Sequence, residues 1–459
     1  MYSGALTQPE ALEKLTPYST DAYYYGRSHG LYSHLASERG WVCCPTRFGF
    51  FPALFLGIGT YTTIFTMNMH EKVLAPMAFA GTNKAYCRDF LEAHGFPVAP
   101  GHLVTDPEMA VDKARLVGFP VVLKRFGGGN SEGVILSISN ERDCREGAER
   151  LLQRDFCLVL EKMIEGLEVR LHFLSGRLHK AYRCEPLYIR GNGKDSIHDL
   201  MVAAYPDYFR IMSSSEAQRQ RFVLFLWGRG VREFGDLRKY VPAPGDKIRV
   251  SAAAGAIMKD IDPRAVFLER DITRLEQLLQ QYGAPSAGVD LMMTARRVPF
   301  ERGGVILEIN VPCGFAYLDE AVQAADYELS AAIGHDREFI ANLGRVPVWL
   351  ILDEEMRDQP KVKTKISRRF FRLYPRGVEG SLSGGLTCPW PAMLSNRRAE
   401  AFLISVNEAA ILDHGMPTQL APIVIFAGKR AQFRRRYPVV SRTAVNAKGR
   451  LVAVDEVIR

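Results

Sequence analysis

The sequence has no CxxC pair, no GxxxxGK[ST] phosphate loop and no repeat with the period of a solenoid. Without CxxC, zinc held by paired thiols lacks its spacing, and eight scattered cysteines in 459 residues exclude a disulfide framework. Reduced thiols and a cytoplasmic location are the expectation. The opening residues, MYSGALTQPE, lack the basic start and apolar run of a secretory signal. A focused basic stripe is also missing. Net charge is +8, and Arg434-Arg435-Arg436 is the nearest approach to a patch. That run reads as solvated surface rather than a binding patch, so no nucleic-acid partner is expected. Nor does any uninterrupted apolar run span a membrane. The charge-free stretch Phe48 to Phe65 is broken by Pro52, Gly57 and Gly59, and reads as buried strands with a turn.

What is present suits a soluble globular chain of two or three domains, with 47% hydrophobic and 24% charged residues. Three regions follow from the pattern: a small N-terminal α/β domain over 1–80, a central domain over 81–340, and a further α/β domain over 341–459. In the central region Asn83 to His94 reads as a helix stopped by Gly95-Phe96-Pro97. Pro107 to Val117 is a second helix, ended by Gly118 and Pro120. Val121 to Lys124 is a short strand carrying one lysine, and Val134 to Ile138 and Cys157 to Leu160 are further strands. Between the first two of these lies Gly127-Gly128-Gly129-Asn130-Ser131-Glu132-Gly133. The polar stretch Met212 to Arg221 reads as a mobile substrate loop or a solvated connection.

Strand, glycine-rich loop and strand make a flexible hairpin, not a P-loop. Glycine lets backbone N–H groups approach oxygen anions, so such a hairpin can lie over a triphosphate, although an ordinary loop has the same pattern. A second cluster adds weight. Ala287 to Met292 is a strand bearing Asp290, and Val305 to Asn310 is a strand in which Glu308 and Asn310 share a face by alternation. Oxygen ligands on neighbouring strands suit magnesium held with substrate phosphates. The bland alternative is a solvated strand face, yet the neighbours are apolar, where an unpaired acid is costly.

With these segments in order, residues 81–320 resemble the ATP-grasp ligases, in the branch that includes cyanophycin synthetase. GTNKAYCRDFLEAHGFPVAPG is similar to that family's lysine-bearing helix, and VGFPVVLKRFGGGNSEGV to its second lysine strand and phosphate loop. LVLEKMIEGLEVRLHFLSG resembles the adenine hinge, IRGNGKDSIHDLM a segment of the branch, and GVDLM with VILEINVPCG the magnesium strands. In one departure, Cys313 stands before Gly314 where the family has proline, and Pro312 lies one position earlier.

The resemblance implies an ATP-grasp fold of the α/β (α+β) type, with a lid subdomain at about 105–190, ATP and Mg2+ as cofactors, and a set of roles. Lys84 and Lys124 would bind phosphates, and Gly127, Gly128, Gly129, Asn130 and Ser131 would form the lid over them. Glu161 and the Met163 backbone would meet adenine, and Glu168 the ribose. Asp290, Glu308 and Asn310 would hold magnesium. Arg170, with Lys124, would act in catalysis by stabilising the transferring phosphate or the oxyanion, unless it is only a surface strand residue. The reaction implied is carboxylate–amine ligation on amino-acid or peptide-like substrates, by a homo-oligomer with no membrane or nucleic-acid partner. A non-catalytic nucleotide-binding subunit and a biotin-dependent carboxylase are the competing functions. The first need not keep these lysines and acids, and the second lacks its carrier motif. LTCPWPAML and EAFLISVNEAAILDHGM resemble parts of a shortened Mur-ligase-like domain. There Asp353-Glu354-Glu355-Met356-Arg357 replaces the phosphate loop after strand 346–352, so that domain is expected to bind no ATP.

Overall fold

The computed structural model describes residues 43–48, 51–58, 61–66, 69–127, 133–251, 257–284, 286–313, 321–333, 346–382, 399–414, 423–427, 429–446 and 450–458, with residues 31, 32 and 35. The fold is mixed α/β and separates into two compact units, 73–313 and the remainder.

In the 73–313 unit, runs of four or five residues, mostly apolar, pair into an antiparallel sheet. Its order is Gly101–Val104, Leu158–Lys162, Val121–Arg125, Val134–Ile138. Helices Pro107–Val117 and Glu141–Leu152 cover it. Each begins where a side chain replaces the missing helical acceptor: Asp106 accepts from Met109 N–H at 2.8 Å, and Asn140 from Asp143 N–H at 2.9 Å. Cys144, Ala148 and Leu151 recur at helical spacing and are buried with Leu123, Ile135, Leu158 and Leu160. The same core takes in Phe222 and Trp227 from the helical stretch that follows.

A second antiparallel sheet runs in the order Ile257–Asp260, Arg177–Glu185, Leu167–Leu174, Ala287–Met293, Gly304–Asn310. Between Arg177–Glu185 and Ile257–Asp260 the chain forms helices Ile197–Ala204, Pro206–Ser213 and Glu216–Phe225 and the paired strands Tyr188–Arg190 and Lys247–Arg249. The polar stretch 212–221 is therefore largely helical and not a loop. Ser215 caps its second helix, accepting from Gln218 N–H at 3.3 Å, and the apolar half, Phe222 to Phe225, supplies the burial that the polar half lacks.

Domain boundaries at 80/81 and 340/341, suggested by the sequence, lie away from those of the compact units. Helix Ala75–Thr82 belongs with the central sheet: a Cβ on Gly81 would sit 2.3 Å from the carbonyl oxygen of Val311. Helix Ala321–Ile333 belongs to the other unit. There the described part of 43–70 is an antiparallel sheet, Cys43–Phe48, Phe51–Ile58, Tyr61–Thr66 and Met69–His70, so the described residues of the charge-free stretch are strand. Five parallel strands follow, ordered Val378–Leu382, Phe402–Val406, Val348–Leu352, Ile423–Phe426, Arg450–Ala453. The continuous burial of Phe402–Val406 and Val348–Leu352 is what central parallel strands require. Among the described residues no helix is long and apolar enough to cross a membrane.

Candidate functional site

The acids meet on one face of the five-stranded sheet. Asp290 stands directly opposite Arg170 on one side and Glu308 on the other, and Gly288 stands opposite Asn310. Beyond Asp290 the register with Gly304–Asn310 slips by one residue, so a bulge lies beside the acids and locally re-aims the strand. Arg170 donates to both Asp290 oxygens, Nε to Oδ1 and Nη2 to Oδ2, each at 2.7 Å. Asn310 Nδ2 lies between the two carboxylates, donating to Asp290 Oδ2 at 3.1 Å and to Glu308 Oε1 at 3.3 Å. Burial pushes the Asp290 carboxyl up, and Glu308 adds to this against the opposing pull of Arg170. Burial acts the same way on Glu308, but Lys84, Lys124 and Arg170 outweigh it and hold that carboxyl below its ordinary range.

Those two lysines arrive from the other elements. Lys84 opens helix Lys84–Ala93, whose cap Asn83 accepts from Tyr86 N–H at 2.9 Å. Asn83 also forms an antiparallel bridge with Gly127, and Lys84 N–H donates to the Phe126 carbonyl at 3.4 Å. The end of the second lysine strand is thereby tied to the start of the first lysine's helix. A Cβ on Gly127 would meet nothing within 4 Å among the described residues. Gly128, Gly129, Asn130 and Ser131 lie outside the described residues. Lys124 Nζ lies 2.5 Å from Glu161 Oε2. Burial works against a charge on Lys124, but Glu161 and then Glu308 overcome it, so the ammonium is held above its usual range.

Met163 N–H donates to the Pro120 carbonyl at 3.1 Å, which binds the hinge to the turn before the lysine strand. Glu168 shares the face of Arg170, two residues along, and accepts from Arg249 Nη2 at 3.3 Å. The structure thus brings Lys124, Glu161, Arg170, Asp290, Glu308 and Asn310 into contact pairs and sets Lys84 near Glu308. Sequence reading grouped Asp290, Glu308 and Asn310 with the two lysines, but it paired neither Arg170 with Asp290 nor Lys124 with Glu161, and it missed Arg249, Cys87 and Gly288 altogether. Cys87 Sγ accepts from Ile309 N–H at 3.3 Å, and burial pushes its thiol up to about 12, which makes it a packing group and not a nucleophile. Gly288 leaves room for a thiol, since a Cβ there would lie 2.9 Å from Cys313 Sγ and 3.8 Å from Arg170 Nε. Arg249 is 81 residues from Glu168, and no local pattern links them.

Two carboxylates facing each other with an amide between them form an oxygen donor set of the kind hard divalent cations take. Among the described residues no group of three or more His, Cys, Asp or Glu could hold a metal.

No protein-family model matches the chain. It is similar to cyanophycin synthetase of Trichormus variabilis, 22% identical over 294 residues, covering 61% of this chain and 31% of that protein. A shorter stretch of 103 residues is 30% identical to the human trifunctional purine biosynthetic protein adenosine-3, covering 21% of this chain and 10% of that one. The chain spans about a third or less of the length of these relatives. Among solved structures, a bifunctional glutathione synthetase from Pasteurella multocida aligns with a TM-score of 0.36 at 18% identity, over 67% of this chain and 44% of that one. The D-alanine-D-alanine ligase from Coxiella burnetii aligns at 0.33 and 13%, over 57% and 59%. Both superpositions are loose.

Proposed function

We propose that the chain is an ATP-dependent carboxylate–amine ligase of the ATP-grasp type, acting on amino-acid or small-peptide substrates. One observation carries this reading: two lysines from separate elements converge on a pair of facing carboxylates and an amide. Lys84 and Lys124 meet the phosphates of ATP as compact cations, and Asp290, Glu308 and Asn310 are the residues that would hold magnesium. That metal would supply positive charge to offset the charge developing on the phosphate oxygens.

A carboxylate is a poor electrophile, and taking the terminal phosphoryl group of ATP gives it a good leaving group. The amine then attacks the acyl carbon, the C–N bond forms, and phosphate departs with its bonding electrons. Arg170 contributes a fixed positive charge at this face, and its bidentate hold on Asp290 orients that acid. Lys124, kept charged by Glu161, needs no proton from solvent before it meets phosphate. Glu161, the Met163 backbone and Glu168 lie along the strand and hinge where adenine and ribose are expected, with the lid over the phosphates. Cytoplasmic location, homo-oligomeric assembly and a phosphate-loop-free Mur-ligase-like C-terminal region complete the reading. The acids after Val348–Leu352, two of them paired as Lys363–Asp353 at 3.5 Å and Arg436–Glu355 at 3.6 Å, would repel a triphosphate there.

The test is ADP release measured across amino acids offered singly and in pairs, with mass detection of products. Release that needs both a carboxylate and an amine, with an amide product, is the expected result. Release that needs neither would remove the ligase reading.

A further inference from the structure

Helix Pro360–Leu373 carries six cations, Lys361, Lys363, Lys365, Arg368, Arg369 and Arg372, and no acid. Its apolar side, Ile366 and Phe370, is buried in one core with Trp349 and Leu403 of the parallel sheet. At about 100° per residue Lys361, Lys365, Arg368 and Arg372 fall on the opposite side, and all four are exposed. They form a line along roughly 16 Å of helix axis, in steps of three or four residues. Arg369 borders this stripe. Lys363, on the other side of the helix, pairs with Asp353 at 3.5 Å. None of the other cations forms an ion pair among the described residues.

A solvated helix face gains by mixing signs, because opposite charges three or four residues apart attract and like charges repel. Within this helix every charged pair at that spacing is like: 361 with 365, 365 with 368 and 369, and 368 and 369 with 372. The first turn adds to the repulsion, since it has no acid and holds Lys361 and Lys363 where the helix dipole disfavours cations. A polyanion laid along the stripe relieves both effects. The shape of the stripe selects among polyanions. A site for one small anion gathers its cations around a point, whereas these run in line. An anionic membrane would have to receive the apolar side of the helix, and that side is already buried in the core. At the C-terminal end Phe371 is 39% exposed, next to Arg372 and one turn beyond Arg368, and is braced by Phe370 with ring centroids 5.3 Å apart. An exposed ring among arginines adds little to a contact with carboxylates, but it stacks on a nucleobase whose phosphates the cations hold.

We propose that helix Pro360–Leu373 binds a single-stranded nucleic acid, with phosphates along Lys361, Lys365, Arg368 and Arg372 and a base on Phe371. The stripe corrects the sequence reading, which found no focused basic stripe and expected no nucleic-acid partner. Contiguous runs such as Arg434-Arg435-Arg436 are visible in the sequence, whereas helical spacing alone assembles this line. Nothing in it depends on the ligase reading.

The experiment is fluorescence anisotropy of the full chain with labelled oligonucleotides of about 20 nucleotides, longer than one site, across a salt series. An RNA arm and a DNA arm show which of the two is held more tightly. Four phosphate contacts should give a slope of log K against log salt near −3, about −0.7 for each contact. The quadruple variant Lys361→Gln, Lys365→Gln, Arg368→Gln, Arg372→Gln should remove most of that slope, and Arg368→Gln alone should reduce it by about 0.7. Glutamine is a good helix former and the repulsion is gone, so these variants should melt no lower than wild type. Should the quadruple variant fail to fold, Arg368→Gln carries the comparison. Phe371→Ala should weaken single strands by roughly 5- to 150-fold and leave binding of a duplex of the same sequence unchanged. The double variant Arg434→Gln with Arg435→Gln, on another helix, should change binding little. The proposal falls if no oligonucleotide binds at low salt, or if the quadruple variant keeps the wild-type slope. It falls if the Arg434 and Arg435 substitutions matter as much as those on the stripe, since binding would then follow net charge alone. Tighter binding of polyglutamate, or of phosphatidylserine vesicles, than of either oligonucleotide also overturns it.

Discussion

Replacing Arg170 with methionine leaves the Asp290 carboxylate with its nearest cation gone. The pair is mostly out of water, with side-chain exposures of 16% and 8%, and its two contacts are short at 2.7 Å. Two unit charges about 4 Å apart interact by about 4 kcal/mol at an effective dielectric near 20. Breaking such a pair from one side costs about 3–5 kcal/mol, because the remaining charge is buried without compensation. Asp290→Asn should cost a similar but smaller amount, since an amide needs no counter-charge and still accepts a hydrogen bond. The double variant Arg170→Met with Asp290→Asn should cost well under the sum, by about 2–4 kcal/mol, as contacting residues do not add. Urea unfolding followed by fluorescence of Trp227, the one tryptophan between residues 73 and 313, measures all three. The double variant should regain stability without regaining ADP release, since charge balance is restored and the site chemistry is not. If Arg170→Met costs less than about 1 kcal/mol, or the single costs simply add, the pair is not a desolvated unit and the electrostatic reading of this face fails.

Glu308→Gln keeps the shape of the side chain but removes one of the two facing carboxylates. Turnover in the ADP-release assay should fall by about a hundred- to a thousandfold, the scale of losing a preorganised electrostatic contact, and near wild-type activity would remove the metal assignment. Gly81→Ala places a methyl 2.3 Å from the Val311 carbonyl oxygen, where backbone must move. A loss of about 1–3 kcal/mol in urea unfolding is expected, and a neutral result would show that helix Ala75–Thr82 does not pack as described. His172 is fully buried beside Ser286, and burial, with His179 and Arg170 adding to it, lowers its pKa from 6.5 to about 3. A base depressed in the folded state stabilises above its unfolded pKa and loses that contribution as pH falls toward its folded value. Stability should therefore drop by about 2 kcal/mol between pH 6.5 and 5, a slope that His172→Gln flattens in thermal melts across that range.

Much of the fold was legible because its signals are local. Helix Pro107–Val117 begins and ends at the residues that Asp106, Pro107 and Gly118 mark, and strand Val134–Ile138 has the bounds its apolar run suggests. Alternation placed Glu308 and Asn310 on one face, and their 3.3 Å contact follows from it. The stretch 212–221 misled because a polar half-helix with its apolar half just beyond looks like solvated chain until something covers Phe222 to Phe225. Nor do the residues of helix Ala75–Thr82 say by themselves which sheet receives Gly81.

Residue chemistry along the chain, with the family resemblance, marked on its own the candidates for a phosphate and cation site: lysines ahead of a glycine loop, then acids and an amide on alternating strands. Tertiary structure alone decided who faces whom. Arg170 meets Asp290 across 120 residues and Arg249 meets Glu168 across 81, contacts that exist only once strand order and register are set. The physical reason is range. Helix caps and strand alternation act over a few residues, whereas a buried charge takes whatever partner the packed sheets bring to it.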